Sequence, residues 1–170
     1  MINYRTSLFA ALAATALLQA CSQSSGPDQT KVQGNVAKAQ ADGQKIVVDA
    51  QAKLEQVNAQ NNKDMVNTQV DAHADDASKA KAAAAASNDN DVAKARIEAN
   101  GKVDDARYEV EKAKAEAANN VAQAQCAAQT GAAEKSCKDK AKETYDSAVA
   151  TAKSRNEAAH QRNTAAPTNG

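Results

Sequence analysis

Two of the three cysteines in this 170-residue chain have a spacing that suggests covalent chemistry. Cys126 and Cys137 lie eleven residues apart in CAAQTGAAEKSC. In one continuous helix their Cα atoms would be about 16 Å apart, whereas a disulfide needs Cα atoms within about 7 Å. The pair can therefore bond only if the chain reverses between them. Thr130-Gly131 supplies the signal for that reversal, since glycine commonly follows a helix end.

The spacing therefore predicts a structural disulfide at the tip of an antiparallel helical hairpin. A bond that closes so short a loop contributes roughly 3 kcal/mol on the chain-entropy estimate. A redox-active pair is the weaker reading because the spacing is not Cys-x-x-Cys. Metal binding is weaker still, because no histidine lies near either cysteine.

Cys21, the third cysteine, follows a segment typical of export signals. Arg5 is the only charge before Asp28, and residues 6–18 form an apolar run. That run is too short to cross a bilayer, which needs about 20 residues, and it fits the apolar region of a signal peptide. The polar stretch after Cys21, rich in Ser, Gly and Pro, has the composition of a flexible tether.

The sequence Leu18-Gln19-Ala20-Cys21 resembles the lipobox of bacterial lipoproteins, with Gln19 departing from the small residue usual there. The resemblance implies that residues 1–20 are a signal peptide cut between Ala20 and Cys21. It also implies that the Cys21 thiol is acylated, with residues 21–30 as the lipidated terminus and tether. Several acyl chains make such an anchor stable. The alternative is an ordinary secreted protein cut after Ala20.

The composition of the chain from Cys21 onward limits what it can build. It holds 20 Lys and Arg against 21 Asp and Glu, so it lacks the basic excess of a nucleic-acid-binding protein. The whole chain has 43 alanines, yet only 16 Val, Ile, Leu, Met or Phe follow Cys21. Alanine buries little surface but is the best helix former. We therefore expect an all-α protein of long Ala-rich helices rather than a large globular core.

Small and apolar residues recur at steps of three and four along two segments, as in helices that wind on partners. The predicted fold is a coiled-coil-like antiparallel hairpin or a loose three-helix bundle. The first stripe comprises Val32, Val36, Ala39, Gly43, Ile46, Ala50, Leu54 and Val57. The second comprises Val92, Ala95, Ala99, Val103, Ala106, Val110, Ala113, Ala117, Val121 and Ala124.

Turn signals place the helix boundaries. The cluster Ser87-Asn88-Asp89-Asn90-Asp91 predicts a break, because these side chains end one helix and cap the next. We therefore predict a helical region over 31–162, with helices near 31–86, 91–130 and 132–161, and a disordered tail at 163–170. The first helix is expected to bend or fray near Asn61-Asn62, and Gly43 and Gly101 to be weak points.

The sequence contains no pattern that indicates catalysis. No Gly-rich phosphate loop is present, and no Ser or Cys nucleophile has a base nearby in sequence. His73 with Asp75 and Asp76 has the wrong helical spacing for a metal site on one face, and His160 reads as a surface residue. We therefore predict a non-enzyme with no cofactor, metal or small-molecule substrate.

Three functions remain open. In plan the chain resembles the murein lipoproteins, which implies a structural or spacer role in the periplasm. It ends Ala-Ala-Pro-Thr-Asn-Gly without their terminal Lys, which puts covalent wall linkage in doubt. Residues 126–145 are similar to a Cys-x10-Cys unit of Ala/Lys-rich envelope proteins of proteobacteria, which implies no activity. Ala-Lys-rich runs resemble desiccation protectants, and the third option is a coiled-coil adaptor for an envelope partner.

The resemblance to lipoproteins also implies a cellular location and a set of binding partners. Ser22 is not the Asp that retains lipoproteins at the inner membrane, so we expect the protein in the outer membrane, facing the periplasm. The expected partners are the lipid bilayer through acylated Cys21 and either another coiled coil or non-covalently bound peptidoglycan. Nucleic acid is not expected among them.

Overall fold

The protein is an all-α structure of three long helices. A computed structural model describes residues 28–76 and 81–165. Helix α1 comprises Gln29–Asp76, α2 comprises Lys81–Cys126, and α3 comprises Gly131–Ala165. The described parts of the chain contain no strand, so the predicted fold class is confirmed. The predicted signal peptide, most of the predicted tether and the last five residues lie outside the described residues.

Helix α1 begins two residues earlier than predicted because Asp28 caps it. The Asp28 carboxylate accepts a hydrogen bond from the Thr30 backbone amide at 3.0 Å, and the Asp28 carbonyl accepts one from the Val32 amide. A side-chain acceptor at this position satisfies an amide that the helix itself cannot pair. The helix then runs without interruption through Asn61-Asn62, where fraying was expected.

The boundary between α1 and α2 differs from the predicted one. Helix α1 ends at Asp76, ten residues before the predicted end, and α2 begins at Lys81. The cluster 87–91 therefore lies inside α2 rather than between helices. Asn, Asp and Ser are unfavourable inside a helix by only up to about 0.7 kcal/mol each. The alanine run at 82–86 and the packing of the following turns outweigh that cost.

The two predicted stripes are the faces by which α1 and α2 pack. All residues of both stripes are buried or half-buried, while most of their neighbours are exposed. The helices run antiparallel, because Gly43 lies against Ala117 and the Asn61 side chain donates a hydrogen bond to the Ala99 carbonyl. Gly43 is thus a point of close approach between the helices.

Helix α2 is the central element, since it packs against both of the others. In the described parts of the chain, no Cα atom of α1 comes within 8 Å of one in α3. Among the residues whose burial the structure describes, the buried apolar ones lie on α2 and α3: Ala106, Val110, Ala113, Cys126 and Ala152. Because most are alanines, the core is thin, and much of the stability must come from its length.

Helix α3 continues to Ala165, so residues 163–165, which were predicted to be disordered, are helical. The rest of the predicted tail, residues 166–170, lies outside the described residues. Two side chains hold the last turn of α3: Asn163 donates to the Asp104 carboxylate at 2.8 Å, and Thr164 donates to the His160 carbonyl at 3.1 Å. The first contact joins α3 to α2 and the second lies within α3, and the composition of the sequence predicted neither.

Ion pairs form on the solvent-facing sides of the helices. The i,i+4 pairs Glu98–Lys102 and Glu134–Lys138 form at 2.8 Å and 2.6 Å. Such exposed pairs contribute only a few tenths of a kcal/mol each. Among the residues that the structure describes, no helix combines the length and hydropathy that a membrane-spanning segment needs.

Candidate functional site

The residues predicted to carry the lipid anchor, Ala20 and Cys21, lie outside the described residues. The described chain begins at Asp28, seven positions after Cys21. Lipidation of Cys21 therefore stays a prediction.

The structure brings the other two cysteines together. Cys126 is the last residue of α2 and Cys137 lies in the second turn of α3, and they form a disulfide with Cα atoms 5.6 Å apart. The chain reverses through residues 127–130, with the Ala128 and Gln129 amides bonded to the Gln125 and Cys126 carbonyls at 3.0 Å. Helix α2 thus ends four residues earlier than predicted.

Gly131 completes the reversal with φ at +60°, a left-handed conformation that glycine adopts without the cost of a Cβ. Cys126 is only 1% exposed. A buried disulfide sulfur is a poor target for an attacking thiolate, because exchange requires access to it. The geometry suits a bond that fixes the ends of α2 and α3.

Two adjacent carboxylates of α2, those of Asp104 and Asp105, form hydrogen bonds with the C-terminal part of α3. Asp105 accepts a hydrogen bond from Asn156 at 3.0 Å and lies 2.8 Å from Nε2 of His160. The bond from Asn156, followed by the bond from His160, holds the pKa of Asp105 below its ordinary value. Gly101 leaves room for the imidazole, since a Cβ there would lie 3.3 Å from its Cε1 atom.

A polar groove near the end of α3 is lined by side chains from all three helices. Its volume is about 610 Å³, and it is open to solvent along one side. We call it the junction groove. Its lining residues are Asn58, Asn61, Asn62, Met65, Arg96, Ala99, Asn100, Val103, Asp104, Arg107, Ala159, Arg162 and Asn163.

The junction groove carries an excess of positive charge. Its one carboxylate, Asp104, is already engaged by Asn163 at 2.8 Å and by Arg107 at 3.3 Å. Within the described chain, Arg96 and Arg162 form no ion pair. Guanidinium groups bind carboxylates and phosphates through paired hydrogen bonds. The guanidinium groups of Arg96 and Arg162 are therefore free to bind an acidic ligand in the junction groove.

Asparagine amides supply the rest of the polar lining. Asn61 is 7% exposed, and its amide nitrogen is held by the Ala99 carbonyl at 2.7 Å. Asn58, Asn62 and Asn100 are exposed at the groove edge. Amides donate and accept hydrogen bonds at once, so they suit ligands rich in hydroxyl and amide groups. The groove as a whole can hold an acidic, heavily hydrogen-bonding ligand.

Sequence reasoning missed this groove. Its only trace in the sequence was Asn61-Asn62, which interrupts the first apolar stripe and was interpreted as a weak point in the helix. Arg96 and Arg162 lie 66 positions apart in the sequence, so nothing in their spacing indicates that they line one groove. In the described part of the chain, no group of three or more His, Cys, Asp or Glu side chains is placed to hold a metal ion.

Comparisons of this chain with protein-family models, with curated proteins and with solved structures find no match.

Proposed function

We propose that this chain is a lipid-anchored protein of the bacterial cell envelope that acts as a helical spacer, without catalysis. The proposal combines the lipobox-like sequence ending at Cys21 with the shape of the helical body. Helix α1 has 48 residues and is therefore about 72 Å long. A thin, long body with few buried large side chains suits a spacer better than an enzyme, which needs an enclosed pocket.

The observation that carries the proposal is the register of α1 on α2. Gly43 lies opposite Ala117, and Asn61 lies opposite Ala99, so the two numbers add to 160 in both pairs. On the same register, Gln29 lies level with the turn that follows Cys126. The end of the body nearest Cys21 is thus the end that the disulfide closes.

This register determines which end of the helical body would lie near a lipid anchor at Cys21. From Gln29 to Asn61 the helix rises about 48 Å, at 1.5 Å per residue. A protein anchored through Cys21 would therefore hold the junction groove tens of ångströms from the membrane surface. The disulfide would link α2 to α3 at the end of the body close to the lipid.

The groove fits the non-covalent partner expected of such a spacer. Peptidoglycan presents carboxylates, amides and hydroxyls, which are the groups that two free guanidinium groups and several Asn side chains recognise. We propose that the protein reaches from the outer membrane, to which Ser22 directs it, toward peptidoglycan. The bilayer is the second partner, through acylated Cys21.

Metabolic labelling with a fatty acid tests the anchor. The wild-type chain and the Cys137→Ser control should both take up label, whereas Cys21→Ser should not, since the thiol is the acyl acceptor. Membrane fractionation should then place the labelled protein in the outer membrane. Label retained on Cys21→Ser would refute the lipoprotein reading. Recovery only in the inner membrane would refute the sorting step.

A further inference from the structure

The junction groove is a trough with α2 as its floor and α1 and α3 as its walls. The trough is open, because the Cα atoms of α1 and α3 stay more than 8 Å apart throughout the described residues. A ligand can therefore lie lengthwise along α2.

Two guanidinium groups give the junction groove its unbalanced charge. Asp104 is 15% exposed, and its carboxylate accepts hydrogen bonds from Arg107 at 3.3 Å and from Asn163 at 2.8 Å. Arg96 and Arg162 are exposed, and among the described residues neither has an ion-pair partner. Three arginines against one aspartate leave the lining with a net charge of +2. This charge favours a ligand with two acidic groups.

The packing of α3 on α2 determines how far apart the two free arginines lie along the junction groove. Asn163 is bonded to Asp104, so its neighbour Arg162 lies level with Asp104. Arg96 precedes Asp104 by eight residues on α2, which is a rise of about 12 Å. Arginines at this separation fit two acidic groups about 12 Å apart better than one compact anion such as phosphate.

Amide side chains occupy the interval between the two free arginines. Asn100 lies midway on α2, four residues from Arg96 and four from Asp104. On the register of α1 against α2, Asn62 and Asn58 lie level with positions 98 and 102, in the same interval. All three asparagine side chains are exposed. Each can donate and accept a hydrogen bond, as the N–H and C=O groups of a peptide backbone require.

We infer that the junction groove binds an extended acidic peptide, and that within peptidoglycan it recognises the peptide stems rather than the glycan strands. An extended chain advances about 3.3–3.6 Å per residue, so a separation of about 12 Å corresponds to between three and four residues. Peptide stems supply carboxylates joined by amide groups, which match the order of side chains along the groove. Glycan strands supply hydroxyl and acetamido groups, which leave both guanidinium groups unpaired. The inference rests on the proposed contact with peptidoglycan and adds which part of it is bound.

Two isomeric peptides test whether the groove recognises the spacing of the acidic groups. Both carry a fluorescent label at the N terminus and an amide at the C terminus, and fluorescence polarisation measures their binding to the full chain carrying Cys21→Ser. Asp-Ala-Ala-Ala-Asp places its two carboxylates four residues apart on one face of an extended chain. It should bind at least tenfold more tightly than Asp-Asp-Ala-Ala-Ala, because only the first peptide reaches both arginines. Equal binding of the two isomers would overturn the inference.

Matched variants locate the binding in the groove. Arg96→Gln and Arg162→Gln should each weaken binding of Asp-Ala-Ala-Ala-Asp at least tenfold and remove the preference for separated carboxylates. Arg155→Gln removes an exposed arginine of α3 that does not line the groove, and it should preserve both the affinity and the preference. Circular dichroism checks that all three variants remain helical. Equal losses in all three would mean that the peptide binds by charge alone.

Natural fragments decide the source of the peptide. Stem peptides released from sacculi by an amidase should bind, and conversion of their carboxyls to methylamides should weaken binding at least tenfold. A tetramer of N-acetylglucosamine, which represents the glycan strand, should not displace them. If the tetramer binds and the stem peptides do not, the inference is wrong while the proposed contact with peptidoglycan stands. If Asp-Ala-Ala-Ala-Asp binds but stem peptides and sacculi do not, both are wrong and the ligand is an acidic segment of a protein.

Discussion

Gly43 of α1 lies directly against Ala117 of α2, with no room for a side chain between the two helices. A Cβ built on Gly43 would lie 2.9 Å from the Cβ of Ala117, closer than real Cβ atoms come, and 3.2 Å from its Cα, which is also a tight contact. The glycine is therefore needed for packing, and this contact fixes how far the two helices can slide along each other.

Gly43→Ala should destabilise the protein even though alanine is the better helix former. The intrinsic gain of about 1 kcal/mol is outweighed because the helices must move apart, and overpacking costs about 1–3 kcal/mol. The matched control is Gly34→Ala, where an added Cβ meets nothing within 4 Å and should stabilise by up to about 1 kcal/mol. Urea unfolding followed by circular dichroism measures both. If both variants gain stability, α1 and α2 do not pack in this register.

Reduction of the Cys126–Cys137 disulfide should loosen α3 and the end of α2 more than α1. Reduction by dithiothreitol removes roughly 3 kcal/mol of chain constraint at the tip of the α2–α3 hairpin. Helicity should fall, and trypsin should cut faster at Lys135, Lys138 and Lys140, with little change before residue 76. Mass spectrometry of non-reduced peptides from the exported protein should show the cross-link. Two free thiols there would mean that the hairpin forms without the bond.

Acid should weaken the contact between α2 and the end of α3. Because the pKa of Asp105 is depressed in the folded protein, its carboxylate stabilises the fold above the ordinary carboxyl pKa of 3.8, and this contribution is lost as the pH falls through the folded value. Its side chain is 62% exposed, so the effect should be no more than about 0.5 kcal/mol. Asp105→Asn should remove this part of the acid sensitivity.

Urea midpoints at pH 6 and pH 3 measure that difference. The control Asp71→Asn changes an exposed carboxylate on α1, away from the contact. It should keep the acid sensitivity of the wild-type chain. An equal loss of stability between the two pH values in wild type and Asp105→Asn would contradict the role of Asp105.

The junction groove should bind peptidoglycan through its free arginines. Arg96→Gln with Arg162→Gln should weaken co-sedimentation with purified sacculi at least tenfold, since each charge-assisted hydrogen bond contributes about 1.5–3 kcal/mol. Arg155→Gln is the control, because Arg155 is exposed on α3 but does not line the groove. Equal binding by both variants would show that the groove is not the site of contact.

The sequence by itself determined the helices and the faces that they bury. Alanine content, the absence of proline between Pro27 and Pro167, and the recurrence of small residues at three and four positions were enough to predict three helices and both packing stripes. The spacing of Cys126 and Cys137 around Gly131 was enough to predict a hairpin at that place. These are local signals, which propensity and periodicity express directly.

Only the tertiary structure decided the register of the helices, the boundary between α1 and α2, and the junction groove. Stripes of alanine and valine look alike after a shift of one heptad, so periodicity does not select an alignment. Two contacts do select one: Gly43 against Ala117, and the buried Asn61 amide on the Ala99 carbonyl. Arg96 and Arg162 line one groove only because α3 returns along α2, where Asn156, His160 and Asn163 bond to Asp104 and Asp105.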